Sequence, residues 1–155
     1  MFVPNNRPVK VPTQYFKRFH PVYMLTFEHV LLVDDNAATN FLHKRTLRKS
    51  GRVRSSHAVQ SATEGLMYLQ QEEATVPDLI LLDINMPGMT GWDFVEAFCQ
   101  WAAGRHRDTR VVFLTTSLNP DDVAHARTLD CVHGFMEKPL TLEMVDQLAE
   151  GKGGL

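Results

Sequence analysis

No apolar run in the 155 residues approaches the ~20 residues that a membrane-spanning helix needs. The longest, such as 79–82 and 111–114, are a few residues each. The N-terminus has no apolar stretch of signal-peptide type, so a cytoplasmic protein is expected. Cysteine is scarce. Cys99 and Cys131 stand without a CxxC motif or a histidine at zinc-ligand spacing. That spacing gives no zinc-finger pattern, and two separate buried thiols in a reducing compartment are expected. Neither sign of charge dominates: 16 basic against 18 acidic side chains give a net charge of −2. The chain therefore lacks the broad basic footprint of a nucleic-acid or membrane-surface binder. Hydrophobic residues at 44% and charged residues at 22% describe a globular chain. Its length suits one domain with a real core.

Acids are missing altogether from residues 1–26, where Arg7, Lys10, Lys17 and Arg18 have no counter-charge and four prolines interrupt the chain. This composition reads as a disordered or loosely packed arm. Its aromatics, Tyr15, Phe16, Phe19 and Tyr23, give a sharper alternative, an arm for docking or dimerisation. Residues 27–150 form the domain, and the glycine-rich 151–155 reads as a flexible tail.

The domain is organised around Asp78-Leu79-Ile80-Leu81-Leu82-Asp83-Ile84-Asn85-Met86-Pro87-Gly88. A short, continuous apolar run bounded by prolines predicts a strand buried on both faces of a parallel sheet. Residues 28–33 repeat the pattern and end in Asp34-Asp35-Asn36; 110–114 end in Thr115-Thr116-Ser117; 132–136 lead to Glu137-Lys138-Pro139. Residues 53–59 are more polar, as an edge strand would be. Helices fill the gaps. One runs from Ala37 to a Ser50-Gly51 stop. A second opens on the capping box Ser61-Ala62-Thr63-Glu64 and runs to about Glu73. A third starts at Thr90-Gly91-Trp92-Asp93 and ends at Gly104. A fourth follows Asn119-Pro120-Asp121-Asp122 and ends near Asp130. The last starts at Thr141.

Five strands alternating with five helices predict an α/β, doubly wound parallel sheet of order 2-1-3-4-5. That order sets the first strand beside the third, so Asp34, Asp35 and Asp83 meet at the carboxyl edge where such sheets bind ligands. Thr115 and Lys138 arrive at the same edge from the fourth and fifth strands. Clustered carboxylates repel unless a cation intervenes. An oxygen-only donor set suits Mg²⁺, which favours phosphate as a co-ligand. A carboxylate can attack phosphorus, a lysine supplies a point charge for phosphate oxygens, and a threonine supplies a hydroxyl donor. The constellation is that of a phosphoryl acceptor.

Val33-Asp34-Asp35, Leu82-Asp83-Ile84-Asn85-Met86-Pro87-Gly88-Met89-Thr90-Gly91, Leu114-Thr115-Thr116-Ser117 and Lys138-Pro139 follow one another in family order. On these motifs the chain resembles the receiver domains of two-component response regulators, with their flavodoxin-like, CheY-like fold. The resemblance implies that Asp83 is the phosphoacceptor. It implies that Asp34, Asp35, Asp83 and the Asn85 backbone carbonyl hold Mg²⁺, and that Thr115 and Lys138 bind the phosphoryl group. It further implies a phosphorylation switch read through Thr115 and Phe135 on the surface of the fourth helix, fifth strand and fifth helix. The donor would be a histidine kinase or histidine phosphotransfer protein. The output would be a downstream protein or a second copy of the chain, as in single-domain, chemotaxis-like regulators. No nucleic-acid or membrane partner is implied. Such a protein is no enzyme beyond its own phosphorylation and dephosphorylation. Phe135 departs from the family's usual tyrosine, so its contact with a partner must be apolar.

Each residue has a plainer role to set against this one. Asp34 alone would be a helix cap, Thr115 a strand-end hydroxyl, Lys138 a solvated charge. Asn36, Thr39 and Asn40 are expected to cap or decorate the first helix, with contact to the site as the alternative. His29, His43, His57 and His125 are expected on the surface, and Trp92, Phe94 and Trp101 in packing, with Trp92 as a partner anchor the minority reading. Three other functions are weighed against the switch. A pseudo-receiver scaffold would keep the fold and never take phosphate. An aspartyl-phosphate phosphatase would need a DxDxT pattern that Asp34-Asp35-Asn36-Ala37-Ala38 lacks. A flavodoxin-type cofactor binder would need a phosphate-cradling first loop, which these acids oppose.

Overall fold

The structure, a computed structural model, describes residues 26–104, 108–116 and 118–151. The arm at 1–26 lies outside them but for Thr26, and the tail lies outside them after Gly151. Five strands, β1 (Phe27–Val33), β2 (Val53–Val59), β3 (Leu79–Leu82), β4 (Arg110–Thr115) and β5 (Val132–Glu137), alternate with α1 (Ala37–Ser50), α2 (Ala62–Leu69), α3 (Gly91–Ala102), α4 (Pro120–Ala126) and α5 (Leu142–Ala149). All strand pairs are parallel and the order is β2-β1-β3-β4-β5, as the sequence pattern predicts.

The burial of each strand follows from its composition. Every residue of β3 is buried, whereas β2, with Arg54, Ser55 and His57 exposed, closes one edge of the sheet. One face of the sheet carries Leu31, Val33, Ile80, Leu82 and Phe113 against Phe94 and Phe98 of α3 and Leu69 of α2. The other carries Val30, Leu32, Leu79, Leu81 and Val112 against Leu47 of α1 and Val145 and Leu148 of α5. Each such side chain contributes roughly 1.5–3 kcal/mol on burial.

Helix starts are set locally. Asn36, Ser61, Thr90, Asn119 and Thr141 each cap a helix by accepting a backbone N–H from the first turn. Gly51 ends α1 at φ 66°, a left-handed conformation that glycine adopts without strain. α2 and α4 are shorter than the sequence suggests, ending at Leu69 and Ala126 rather than near Glu73 and Asp130. Past α2, residues 70–73 are all polar or charged and give a further turn no apolar face to hold it.

Three expectations are corrected. Cys99 and Cys131 are joined as a disulfide rather than standing as separate thiols. Thirty-two residues separate them in sequence, but α3 and the start of β5 bring their Cα atoms to 5.9 Å, within bridging reach. His29 and His43 are buried, not on the surface. Asn40, expected to decorate α1, is buried against the ends of β1 and β2.

Candidate functional site

The register places the site. Val33 pairs with Leu82, so the next residues, Asp34 and Asp83, leave adjacent strands side by side. The Asp83 amide donates to the Val33 carbonyl at 2.9 Å, extending the ladder one step to the carboxylates themselves. One carboxylate oxygen from each of Asp34, Asp35 and Asp83 lies within 4.8 Å of the others. Asp34 and Asp83 are buried and Asp35 is exposed, so the cluster has a closed floor and an open mouth.

From the far side of the sheet, Thr115 ends β4 fully buried, and its carbonyl accepts the Lys138 amide at 2.6 Å. That hydrogen bond fixes where the Lys138 side chain starts. Its Nζ reaches Asp34 at 2.6 Å and Asp83 at 3.2 Å. Burial is the main force on Asp83 and pushes its carboxyl above the usual aspartate range. Asp34 adds to the rise, while Lys138 and a hydrogen bond from the Asn85 amide oppose it. Asp83 is thus a carboxylate that gains from any further cation.

Several supports hold this geometry. The Asn40 side-chain amide donates to the carbonyls of Asp34 (2.8 Å) and Val59 (3.0 Å), pinning the turn between β1 and α1. The Asn36 amide donates to the Asp34 carboxylate at 2.9 Å. Gly91 begins α3 directly behind Asp83. A Cβ there would meet the Asp83 carbonyl oxygen at 2.3 Å and the Ile84 Cα at 2.9 Å, so only glycine fits. Next to the Lys138–Pro139 peptide, which is cis, Leu140 donates its amide to Nε2 of buried His43 at 3.3 Å. The sequence hid His43 and favoured a surface role for Asn40, because a polar residue on a helix is ordinarily solvated. Asn40 stands one turn past Asn36 and six residues past Asp34, and that spacing was the available signal.

Of the residues expected at this edge, Asp34, Asp35, Asp83 and Lys138 bring their side chains together, and Thr115 ends the neighbouring strand β4 with its carbonyl bonded to the Lys138 amide. Asn85, two residues past Asp83, is exposed beside them. Half-buried Phe135 on β5 lies 5.1 Å from Phe113 and 6.4 Å from Trp92, ring centre to ring centre. Trp92 also meets Phe113 at 4.5 Å and His125 at 4.6 Å, so it packs across β4, β5 and α4. A cavity of ≈ 660 Å³ lies at the opposite end of the strands, between the ends of α3 and α4 beside the disulfide.

Three carboxylates with no nitrogen or sulfur donor among them form a hard-oxygen set of the kind Mg²⁺ takes, and the open mouth leaves room for water or phosphate. The residues present therefore fit the ion.

Comparisons with known proteins agree with this geometry. Residues 30–150 match the family model of the response regulator receiver domain. The chain is 28% identical over 122 residues to the sensory/regulatory protein RpfC of Xanthomonas campestris. It spans only 16% of that much longer protein. It is 28% identical over 121 residues to the chemotaxis protein CheY of Pseudomonas aeruginosa, covering 78% of this chain and 92% of that one. Among solved structures, a two-component response regulator from Cytophaga hutchinsonii superposes with a TM-score of 0.73 at 31% identity, covering 81% of this chain and 96% of the other. A family match across most of the chain, the strand order and the acid cluster at the carboxyl edge lead to one conclusion: the chain belongs to the response regulator receiver domains of two-component signalling, with a CheY-like fold.

Proposed function

We propose that this domain is a phosphorylation switch whose acceptor is Asp83. The observation that carries the reading is the position of the Asp83 carboxylate: buried, 3.2 Å from the Lys138 ammonium and within 4.8 Å of two further acids. A phosphohistidine on a kinase or phosphotransfer protein is the donor. The Asp83 oxygen forms the new P–O bond as the donor's P–N bond breaks, and the departing imidazole takes a proton from solvent. Such transfer depends on positioning and charge neutralisation more than on covalent chemistry by the protein. Asp34, Asp35, Asp83 and the Asn85 carbonyl would hold Mg²⁺, which when bound neutralises the acids and the incoming phosphoryl oxygens. Lys138 exchanges part of its hold on Asp83 for a phosphoryl oxygen. The Thr115 hydroxyl donates to another, and Thr115 moves toward it. That movement opens space behind β4, into which Phe135 turns from its place beside Phe113 and Trp92. The surface of α4, β5 and α5 is thereby reshaped, and a downstream protein or a second copy of the chain binds the new form. Phosphate acts by differential affinity for two conformations. Water attacking phosphorus at the same site breaks the P–O bond to Asp83, releasing inorganic phosphate and the free carboxylate. The protein catalyses its own phosphorylation and dephosphorylation and no other reaction.

The test is intact mass after incubation with acetyl phosphate, with and without Mg²⁺, in the parent and in Asp83→Asn. A phosphoryl adduct that needs Mg²⁺ and disappears in the variant is the expected result. An adduct that persists in Asp83→Asn overturns the assignment of the acceptor. No adduct from acetyl phosphate or from a phosphohistidine donor would make the domain a phosphate-independent scaffold.

A further inference from the structure

A second feature lies away from the carboxylates, along the seam between α1 and β2. α1 carries Lys44, Arg45, Arg48 and Lys49 and no acid, in a protein whose net charge is −2. Arg48 and Lys49 complement the carboxyl end of the helix. Lys44 and Arg45 lie mid-helix, where that explanation does not reach. Lys44, Arg45 and Arg48 line a groove of ≈ 360 Å³ with Arg54 and Val53 of β2, and Phe41 closes it. Phe41 is 68% exposed, the most exposed of the large apolar side chains among the described residues. Arg54 is paired with Glu28 at 2.7 Å, but Lys44, Arg45 and Arg48 make no ion pair among the described residues.

Among the described residues β2 is the last strand of the sheet and pairs only with β1, which leaves its other edge open there. An open edge is a template for an added strand. Three features therefore coincide: unpaired cations, an exposed aromatic anchor and a free row of backbone N–H and C=O groups. We propose that the groove docks an extended acidic polypeptide segment, which pairs its backbone with the outer edge of β2. Its carboxylates meet Lys44, Arg45 and Arg48, and an apolar side chain covers Phe41. The backbone pairing selects a polypeptide over a nucleic acid, because phosphate oxygens can accept from the edge N–H groups but a phosphodiester backbone brings no row of donors for the edge C=O groups.

Placement adds a functional consequence. The groove lies toward the start of β2, beside the start of β1, while Asp34 follows the end of β1. Ser56, the groove residue nearest that end, pairs with Val30, four residues before Asp34, which sets the two levels roughly 13 Å apart at the usual rise per residue. A segment held in the groove leaves the mouth above Asp83 clear. The partner is anchored while the carboxylates remain accessible.

The probe is a fluorescein-labelled peptide alternating Glu and Val with one central Phe, followed by fluorescence anisotropy. Saturable binding that weakens with added salt is expected. Arg45→Glu with Arg48→Glu should lower affinity by tenfold or more, on the order expected for losing close charge pairs. Arg45→Gln with Arg48→Gln gives a milder loss and guards against misfolding of the double reversal. Lys49→Gln, a cation of the same helix outside the groove, should bind as the parent does. A peptide N-methylated along one edge should lose binding if the backbone pairs with β2. Undiminished binding to Arg45→Glu/Arg48→Glu, equal binding by a Lys-for-Glu peptide, tighter binding of a single-stranded oligonucleotide, or no binding of the acidic peptide would each overturn the proposal. Phosphate acceptance from acetyl phosphate in the groove variants should match the parent, which keeps this test separate from that of Asp83.

Discussion

Asp83 holds a charge in a place that disfavours it. Its carboxyl is raised above the ordinary aspartate range by burial first and by Asp34 second. At neutral pH the folded protein therefore bears a cost that the unfolded chain escapes. Asp83→Asn removes the charge at nearly constant volume and leaves Lys138 paired with Asp34 at 2.6 Å. In metal-free buffer the variant should melt higher than the parent, by about 2–4 °C for each kcal/mol relieved in a chain of this size. Calorimetry of the two proteins side by side checks this, and a lower midpoint for Asp83→Asn would contradict the assigned cost. Gly91 shows the converse constraint. With the Asp83 carbonyl 2.3 Å from where a Cβ would stand, Gly91→Ala must push either α3 or the end of β3. A loss of about 1–3 kcal/mol is expected, as for other overpacked sites. Urea denaturation measures it, and an unchanged midpoint would show that the backbone yields freely there.

Among the secondary-structure elements, α1 ties the two ends of the site together. Asn40 fixes the turn that bears Asp34, and His43 receives the Leu140 amide just past Lys138. His43→Leu should cost about 1–3 kcal/mol, because it orphans a buried N–H. His43→Gln restores an acceptor and should recover part of that loss; equal stability of the two variants would mean that the hydrogen bond contributes nothing. Much of this architecture is legible in the sequence. The continuous apolar runs at 79–82 and 111–114 become β3 and β4, and the caps at Ser61, Thr90, Asn119 and Thr141 start helices as their side-chain chemistry requires. Asp34, Asp35, Asp83, Thr115 and Lys138 could be foreseen because strand order alone brings them to one edge. His29 and His43 could not. Their burial depends on partners far along the chain, Ser55 and Tyr68 for His29 and Leu140 for His43, and no local pattern encodes those pairings. The Cys99–Cys131 link was hidden for the same reason, since only the docking of α3 beside β5 makes it reachable.

At the scale of the whole molecule the histidines set the response to acid. Burial lowers His29, with the His57 charge adding to it and Asp78 opposing. Burial lowers His43 as well, against Asp34 and with Lys138, and it lowers His57 together with Lys44. A histidine lowered in the folded state binds its proton more readily when unfolded, so its contribution is present above the ordinary value of 6.5 and lost as pH falls through the folded value. Asp83, raised in the folded state, acts in the opposite sense and only nearer the carboxylate range. Stability should therefore fall between about pH 7.5 and about pH 5.5, and His29→Gln with His43→Gln should flatten that slope. Urea midpoints at the two pH values give the answer; a flat or inverted profile in the parent would show that other groups dominate.

The strand order divides the site between the two halves of the polypeptide. Cut between Gly104 and Asp108, the first piece would own all three acids, and the second would own Thr115 and Lys138. Neither piece alone holds both Asp83 and the Lys138 charge beside it. On the proposed function, phosphate uptake by the mixture would thus be an assay for reassembly of the halves, and the Cys99–Cys131 bond, which crosses the cut, would keep the reunited pieces together on a non-reducing gel.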